Sequence, residues 1–225
     1  TLAGDGRTIH RSEGRGEQLY GVESDLWILL SISFEGRITD LTMTRILPAS
    51  NQITNDHAVR LSDIARLVAT SNFYHASRTL QVSRALLYGF RRDYSSAAQL
   101  LSPQIEFAVR RHFIDAGEPT TTVDESGIEQ HVGLSALMKR ARADDILGPD
   151  LAFEIRALFC GPLGPNLRNA FAHGLVNDEE ADELASVYTW WFGMKLALMR
   201  FWNAHHDVDA AAAMEPVAPA EPRCD

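Results

Sequence analysis

The apolar segment at residues 187–202 constrains the fold more than any other stretch of the chain. If these residues form one helix, their apolar positions cover nearly the whole circumference instead of a single stripe. Such a helix is buried on several sides, or is buried on one side and used for association on the other. Lys195 and Arg200 interrupt the segment, which is too short and too charged to span a bilayer. The sequence therefore predicts a water-exposed fold with this helix in its interior, and no membrane partner.

Helical spacing of apolar residues predicts further helices upstream. The first predicted helix spans residues 17–34, a second carries its buried stripe between 59 and 68, and a third spans 74–90. Pro48 to Asn55 is predicted as a loop, and Asn55 or Asp56 as the cap of the helix that follows it. Ser102 and Pro103 are predicted to be the N-cap and first residue of another helix.

The only clear strand signal lies between residues 120 and 132. Two short runs rich in Thr, Val and Ile flank Asp124 to Gly127, which is a pattern typical of a β-hairpin. Short helices are predicted at 134–141 and 150–159, and the final helix is predicted to end near Ala204. The sequence thus predicts an all-α bundle with additional N-terminal helices and one short hairpin. We divide it into an N-terminal arm with accessory helices (1–75), a helical domain (76–204) and a disordered tail (205–225).

Composition gives a second set of expectations. The chain has 225 residues, of which 45% are hydrophobic, so it can bury a substantial core. Its two cysteines, Cys160 and Cys224, are too few and too separated for a disulfide framework, which favours a reduced cytoplasmic setting. No secretory signal is visible and no initiator Met is present, which indicates a fragment or a processed product.

The formal net charge of −9 is concentrated in two places. Five acidic residues at 178–183 and the acidic tail after Ala204 carry the whole excess, so the remainder is formally neutral. A non-specific nucleic-acid binder needs a basic field that releases counterions. Any RNA contact of this chain is therefore expected to be local.

Residues 168–174 combine an arginine, an amide and an imidazole in under two helical turns. Arginine matches a phosphate with a planar fork of donors, and histidine can hold or release a proton near neutral pH. Glycine and proline at 161–165 break the chain before this segment; Asn166 is predicted to cap a short helix and Gly174 to end it in a left-handed conformation. On that helix Asn169 and His173 share a face, while Arg168 and His173 lie ~140° apart.

This segment resembles the signature of HEPN ribonuclease domains, an Arg followed five positions later by a His. The fuller block, Asn166 to Asn169 followed by Ala172 to Gly174, is similar to the DUF4209 family within that superfamily. The likeness extends upstream to residues 100–106 with Arg110 and to 156–158, and it covers roughly residues 84–192. The resemblance implies a HEPN-like helical bundle that forms a homodimer and is the C-terminal part of a longer protein. A missing N-terminal region is then a further possible partner.

The resemblance also implies an activity, which is metal-independent cleavage of single-stranded RNA to a 2′,3′-cyclic phosphate, in defence or stress response. Its site residues would be Arg168, His173 and Asn169, with Asn166, Gly174, Glu106 and Arg110 in support. Histidines 112, 131, 205 and 206 lack metal-ligand spacing, and no phosphate-binding glycine loop is present, so we assign no metal and no cofactor.

Other interpretations of the same residues stay open. Arg168 and His173 could tie their helix to the bundle in a non-catalytic HEPN-like module that binds or dimerises, and Glu106 with Arg110 could be an intrahelical ion pair. Cys160 is interpreted as a buried apolar residue with no catalytic role. A third alternative is a nucleotide-binding module, because related helical domains accompany nucleotidyltransferases.

Overall fold

The computed structural model describes residues 18–19, 22–161, 164–177 and 184–213, and most of these are helical. The helices are, in chain order, α1 (Ser24–Leu41), α2 (Leu47–Asp56), α3 (Leu61–Ala69), α4 (Thr79–Phe90), α5 (Tyr94–Asp115), α6 (Leu134–Met138), α7 (Ala143–Leu147), α8 (Pro149–Ile155), α9 (Leu167–Ala172) and α10 (Leu184–Ala213). The strands form two antiparallel pairs, β1 (Gln18–Leu19) with β2 (Val22–Glu23) and β3 (Thr121–Val123) with β4 (Glu129–His131). Two π-helical turns, Thr42–Ile46 and Arg156–Cys160, extend α1 and α8.

Helix α5 lies at the centre of the bundle and packs against both α4 and α10. Its inward face is fully buried at Leu101, Ile105, Val109 and Phe113. These four positions follow the spacing i, i+4, i+8 and i+12, which keeps one helical face turned toward the core. Burial of this apolar face is the main contribution of α5 to the stability of the fold.

Helix α10 is buried on most of its sides between residues 186 and 197, as its apolar circumference predicts. Close packing against α4 depends on Gly89, because a Cβ there would lie 2.1 Å from the Trp190 ring. The indole Nε1 of Trp190 donates a 2.9 Å hydrogen bond to the Leu86 carbonyl. On the opposite flank the Tyr188 hydroxyl donates to Glu154 of α8 at 2.7 Å.

Two of the predicted boundaries in the first half of the chain are wrong. Residues 47–56 form helix α2 and not a loop, because proline is tolerated in the first turn of a helix, where Pro48 lies. Asn55 and Asp56 are the last residues of this helix, and Arg60 occupies the N-cap of α3 in their place.

The predicted start of α5 at Ser102 is also wrong. The helix begins at Tyr94, its N-cap is Asp93, and the carboxylate of Asp93 accepts a 3.0 Å hydrogen bond from the Ser96 N–H. Pro103 therefore lies inside the helix, on its exposed side. Helix α1 likewise begins at Ser24, after the β1–β2 pair, and α4 begins at Thr79, after a 3₁₀ turn at Ala76–Arg78.

The predicted hairpin is confirmed as β3 and β4, with Thr121 opposite His131. The predicted helix at 134–141 is present as α6 with an earlier end, and the one at 150–159 is present as α8 and the π turn. Helix α10 continues to Ala213, past its predicted end near Ala204. The arm before residue 18 and the rest of the tail lie outside the described residues. Within the described residues, none of the helices combines the length and the apolar character needed to cross a bilayer.

Candidate functional site

The short helix α9 is defined at both ends by backbone conformation. Before it, the chain passes so close to the Ala157 carbonyl oxygen that a Cβ on Gly164 would lie 2.0 Å from that atom. Asn166 then occupies the N-cap, but its φ of 44° is left-handed and its side chain makes no capping hydrogen bond. The prediction of the cap position is therefore correct, whereas the predicted side-chain cap is not formed.

Gly174 ends α9 as predicted, with φ at +62°. Its N–H donates to the Phe171 carbonyl at 3.3 Å, and the Leu175 N–H donates to the Ala170 carbonyl at 2.9 Å. This pair of hydrogen bonds is the Schellman arrangement, which requires a left-handed residue just past the helix. The turn fixes the direction in which His173, the residue before Gly174, leaves the helix.

Helix α9 is attached to the bundle along one side. Leu167 is buried in the core and Phe171 packs against its margin, four positions later. The helix contacts α5 and the Arg156–Cys160 turn. The other sides of α9 therefore remain at the surface.

Arg168 is held by a carboxylate on α5. Its Nε donates to Glu106 Oε2 at 2.8 Å, while Glu106 Oε1 accepts from Arg110 Nη2, also at 2.8 Å. The Glu106 side chain is 13% exposed and that of Arg168 is 32% exposed. The predicted Glu106–Arg110 ion pair is thus present, and the structure adds Arg168 to it as a third member. This Arg110–Glu106–Arg168 cluster combines two guanidiniums with one carboxylate, which leaves one positive charge in excess.

Among the described residues, Glu106 is the one side-chain hydrogen-bond partner of the Arg168 guanidinium. Nη2 lies near the loop before α6, where a Cβ on Gly133 would be 3.7 Å from it. Within the described part of the chain, Arg168 makes no side-chain hydrogen bond besides the one from Nε. Arginine carries five N–H donors in a fixed plane, so a second acceptor can bind while Glu106 keeps its contact.

A surface groove of about 320 Å³ runs between α5 and α9 and is bounded by the Arg168–Glu106 pair. Ser102, Pro103 and Glu106 line it on α5, and Arg168, Phe171 and Ala172 line it on α9. His173 follows Ala172 directly and is exposed, yet it does not line this groove. Arg168 and His173 therefore lie on different sides of α9, as their ~140° separation predicts.

Asn169 lies on the same side of α9 as His173. Its backbone carbonyl accepts the His173 N–H at 3.1 Å, and its side chain is partly exposed. The amide and the imidazole thus occupy adjacent surface positions one helical turn apart. Each copy of the chain therefore contributes one imidazole at the end of α9, that of His173.

Cys160 is buried and is the last residue of the π-helical turn that α9 contacts. Burial raises the pKa of its thiol to about 12, and a hydrogen bond with the Ser135 side chain lowers it only in part. The thiolate is the nucleophilic form of cysteine, so this group is inert near neutral pH. The interpretation of Cys160 as a non-catalytic residue agrees with this environment.

The sequence identified the α9 residues but not the partner of Arg168. Glu106 and Arg168 are separated by 62 positions, and no local spacing relates them. Ser102, predicted as a helix cap, lies inside α5 and lines the groove. Among the residues that the structure describes, no group of three or more His, Cys, Asp or Glu side chains is arranged to hold a metal ion. No protein-family model, no curated protein and no solved structure matches the chain.

Proposed function

We propose that this chain is a metal-independent endoribonuclease of the HEPN type, which cleaves single-stranded RNA at a site formed by two copies. The observation that carries the proposal is the surface position of both reactive groups on α9. His173 is exposed at the helix end, and Arg168 lines a surface groove, where no described residue accepts a side-chain hydrogen bond from its Nη atoms. A role in defence or stress response follows from the family resemblance alone.

The proposed reaction is an attack by the ribose 2′-oxygen on the adjacent phosphorus. The new P–O2′ bond forms as the P–O5′ bond breaks, which gives a 2′,3′-cyclic phosphate and a 5′-hydroxyl end. A base accepts the 2′-hydroxyl proton, and an acid donates a proton to the departing 5′-oxygen. These two groups must act on opposite sides of the phosphorus, so one imidazole cannot be adjacent to both.

A homodimer supplies the second imidazole by two-fold symmetry. His173 of one copy acts as the base and His173 of the other as the acid, and each transfer is typically worth ~10²–10⁴ in rate. Asn169 orients His173 or the scissile phosphate from the preceding turn of α9. The proton balance closes without a further group, because the base gains the proton that the acid loses.

Arg168 binds the phosphate and stabilises the extra negative charge of the transition state. Glu106 is a positioning residue in this proposal. It holds Nε of Arg168 through a 2.8 Å hydrogen bond, and no described residue accepts a side-chain hydrogen bond from the terminal nitrogens. Arg110 balances the Glu106 charge, so that the carboxylate does not repel an incoming phosphate.

Cleavage of a labelled single-stranded RNA tests this proposal. We expect Arg168→Ala to lower the rate ~10²- to 10³-fold and His173→Ala ~10²- to 10⁴-fold, with a cyclic phosphate as the wild-type product and no effect of EDTA. Arg45→Ala and His57→Ala are matched controls, since both side chains are exposed and neither lines the groove beside α9. Full activity of both α9 variants, or loss of wild-type activity in EDTA, contradicts the mechanism.

A second candidate function is a non-catalytic helical module for binding or dimerisation. The Arg168–Glu106 ion pair favours it, because this contact connects α9 to the central helix α5. In that case Arg168→Ala lowers the unfolding free energy by about 1–2 kcal/mol, since a charged hydrogen bond is lost while Glu106 keeps Arg110. A His173→Ala variant that is fully stable but inactive supports the enzyme over the module.

A further inference from the structure

A second groove, of about 450 Å³, lies between the start of α3 and the outer side of α4. Three arginines line it, Arg60 at the N-cap of α3 and Arg84 and Arg91 on or at the end of α4. No carboxylate is among the residues that line this groove. Its lining is therefore positively charged.

Two of the three guanidiniums have no partner within the described part of the chain. Arg84 and Arg91 are exposed and make no ion pair or side-chain hydrogen bond there. Asp63 is the acid next to Arg60, but it accepts a 2.6 Å hydrogen bond from Arg66. The local positive charge is thus largely uncompensated.

An aromatic ring and an apolar floor accompany these charges. Tyr88 is 37% exposed and lies between Arg84 and Arg91 on α4. Leu61 and Leu87 line the groove at the junction of α3 and α4 and are buried or half-buried. A ligand that combines negative charges with a flat apolar group matches this lining.

Helix α4 holds the outer residues at fixed positions. Arg84, Tyr88 and Arg91 follow the spacing i, i+4 and i+7, which places them on one face of the helix. The opposite face is fixed in the core by Leu86 and by Gly89 against the Trp190 ring. The backbone positions of Arg84 and Arg91 are about 10 Å apart along the helix axis, so the two side chains start far enough apart to contact two different phosphates.

We propose that this groove binds a segment of single-stranded nucleic acid. Successive phosphates contact Arg60, Arg84 and Arg91, and one base stacks on the Tyr88 ring. Guanidiniums match phosphate oxygens, and an exposed aromatic ring stacks with any base. This proposal concerns binding alone and does not require that α9 cleaves the strand.

Fluorescence anisotropy with a labelled 2′-O-methyl RNA 12-mer tests the proposal, since this strand cannot react through a 2′-hydroxyl. We expect the double variant Arg84→Gln with Arg91→Gln to bind at least tenfold more weakly. The slope of log K against log salt should also fall by about 0.7 for each phosphate contact removed. Tyr88→Ala should bind about 5- to 150-fold more weakly, whereas Tyr88→Phe, which keeps the ring, should bind like the wild type.

Arg45→Gln is the matched control, because it removes one exposed positive charge away from the groove. The proposal is overturned if Arg45→Gln weakens binding as much as each groove substitution does, or if the double variant binds like the wild type. A competition experiment gives a further test, in which inorganic tripolyphosphate displaces the labelled RNA. If equal concentrations displace the RNA from the wild type and from Tyr88→Ala, the ring does not contribute to binding. The groove is then a site for phosphate groups only, and the proposal is overturned. Unchanged binding by His173→Ala in the same assay separates this groove from the α9 site.

Discussion

His112 is a half-buried titratable side chain near the end of α5. Its ring lies 5.0 Å from the Phe73 ring with 34° between the planes, and its buried Nε2 has no hydrogen-bond partner among the residues that the structure describes. Burial lowers the pKa of this imidazole below its usual 6.5, although Asp115 and the Phe73 backbone act in the opposite direction. The folded chain therefore favours the neutral imidazole more strongly than the unfolded chain does.

This difference predicts a loss of stability in mild acid. Below pH 6.5 the unfolded chain binds a proton on His112 that the folded chain resists, so stability is complete above this pH and falls toward the lower folded pKa. Urea unfolding between pH 7.5 and pH 5 should show a steeper decline for the wild type than for His112→Gln. His57→Gln, at an exposed position, should follow the wild type. A constant difference between the wild type and His112→Gln across this range would contradict the assignment.

At the scale of the element, α5 illustrates what local sequence signals can and cannot predict. The apolar spacing of Ile105, Val109 and Phe113 correctly predicts a helix and its buried face. The same face continues backward through Leu101 and Ala97, and burial of these residues outweighs the backbone hydrogen bond that Pro103 cannot donate. The Ser102–Pro103 pair, which locally predicts a helix start, is therefore outweighed by tertiary packing.

The candidate sites also combine features that local sequence predicts with features that depend on tertiary packing. Both ends of α9 were predicted from glycine, proline and asparagine, since these residues act through local backbone conformation. The Glu106–Arg168 contact depends on how α5 and α9 pack, which no spacing in the sequence specifies. The Arg84, Tyr88 and Arg91 spacing on one face of α4 could have indicated the second groove, but its significance depends on the neighbouring α3.

Two helical glycines give a prediction about helix packing. Gly89 lies against the buried Trp190 ring, whereas Gly36, in α1, has no atom within 4 Å of an added Cβ. We expect Gly89→Ala to lower the unfolding free energy by about 1–3 kcal/mol through overpacking. Gly36→Ala should raise it by about 0.5–1 kcal/mol through helix propensity. Thermal and urea unfolding of the two variants measure both effects, and equal shifts of the same sign would exclude the close α4–α10 contact.

At the scale of the whole molecule, the distribution of charge matters more than its sum. The net charge of −9 arises from residues 178–183 and the tail, while arginines line two grooves on the helical bundle, three of them in one groove and one in the other. One groove adjoins the α9 residues of the proposed reaction, and the other offers an aromatic ring with three guanidiniums. A globally acidic chain can therefore present local surfaces that suit a phosphate backbone.

The proposed two-copy site makes activity depend on the concentration of the chain. Each copy contributes one His173, so a monomer lacks either the base or the acid of the reaction. RNA cleavage per chain should therefore rise with concentration and reach a plateau where the dimer is saturated, over a roughly 1,000-fold dilution series. Light scattering on the same samples gives the mass, and the activity should follow the dimer fraction. His173→Ala should associate to the same extent while remaining inactive, which separates assembly from chemistry. Constant cleavage per chain at concentrations where the mass is that of a monomer would show that one copy suffices.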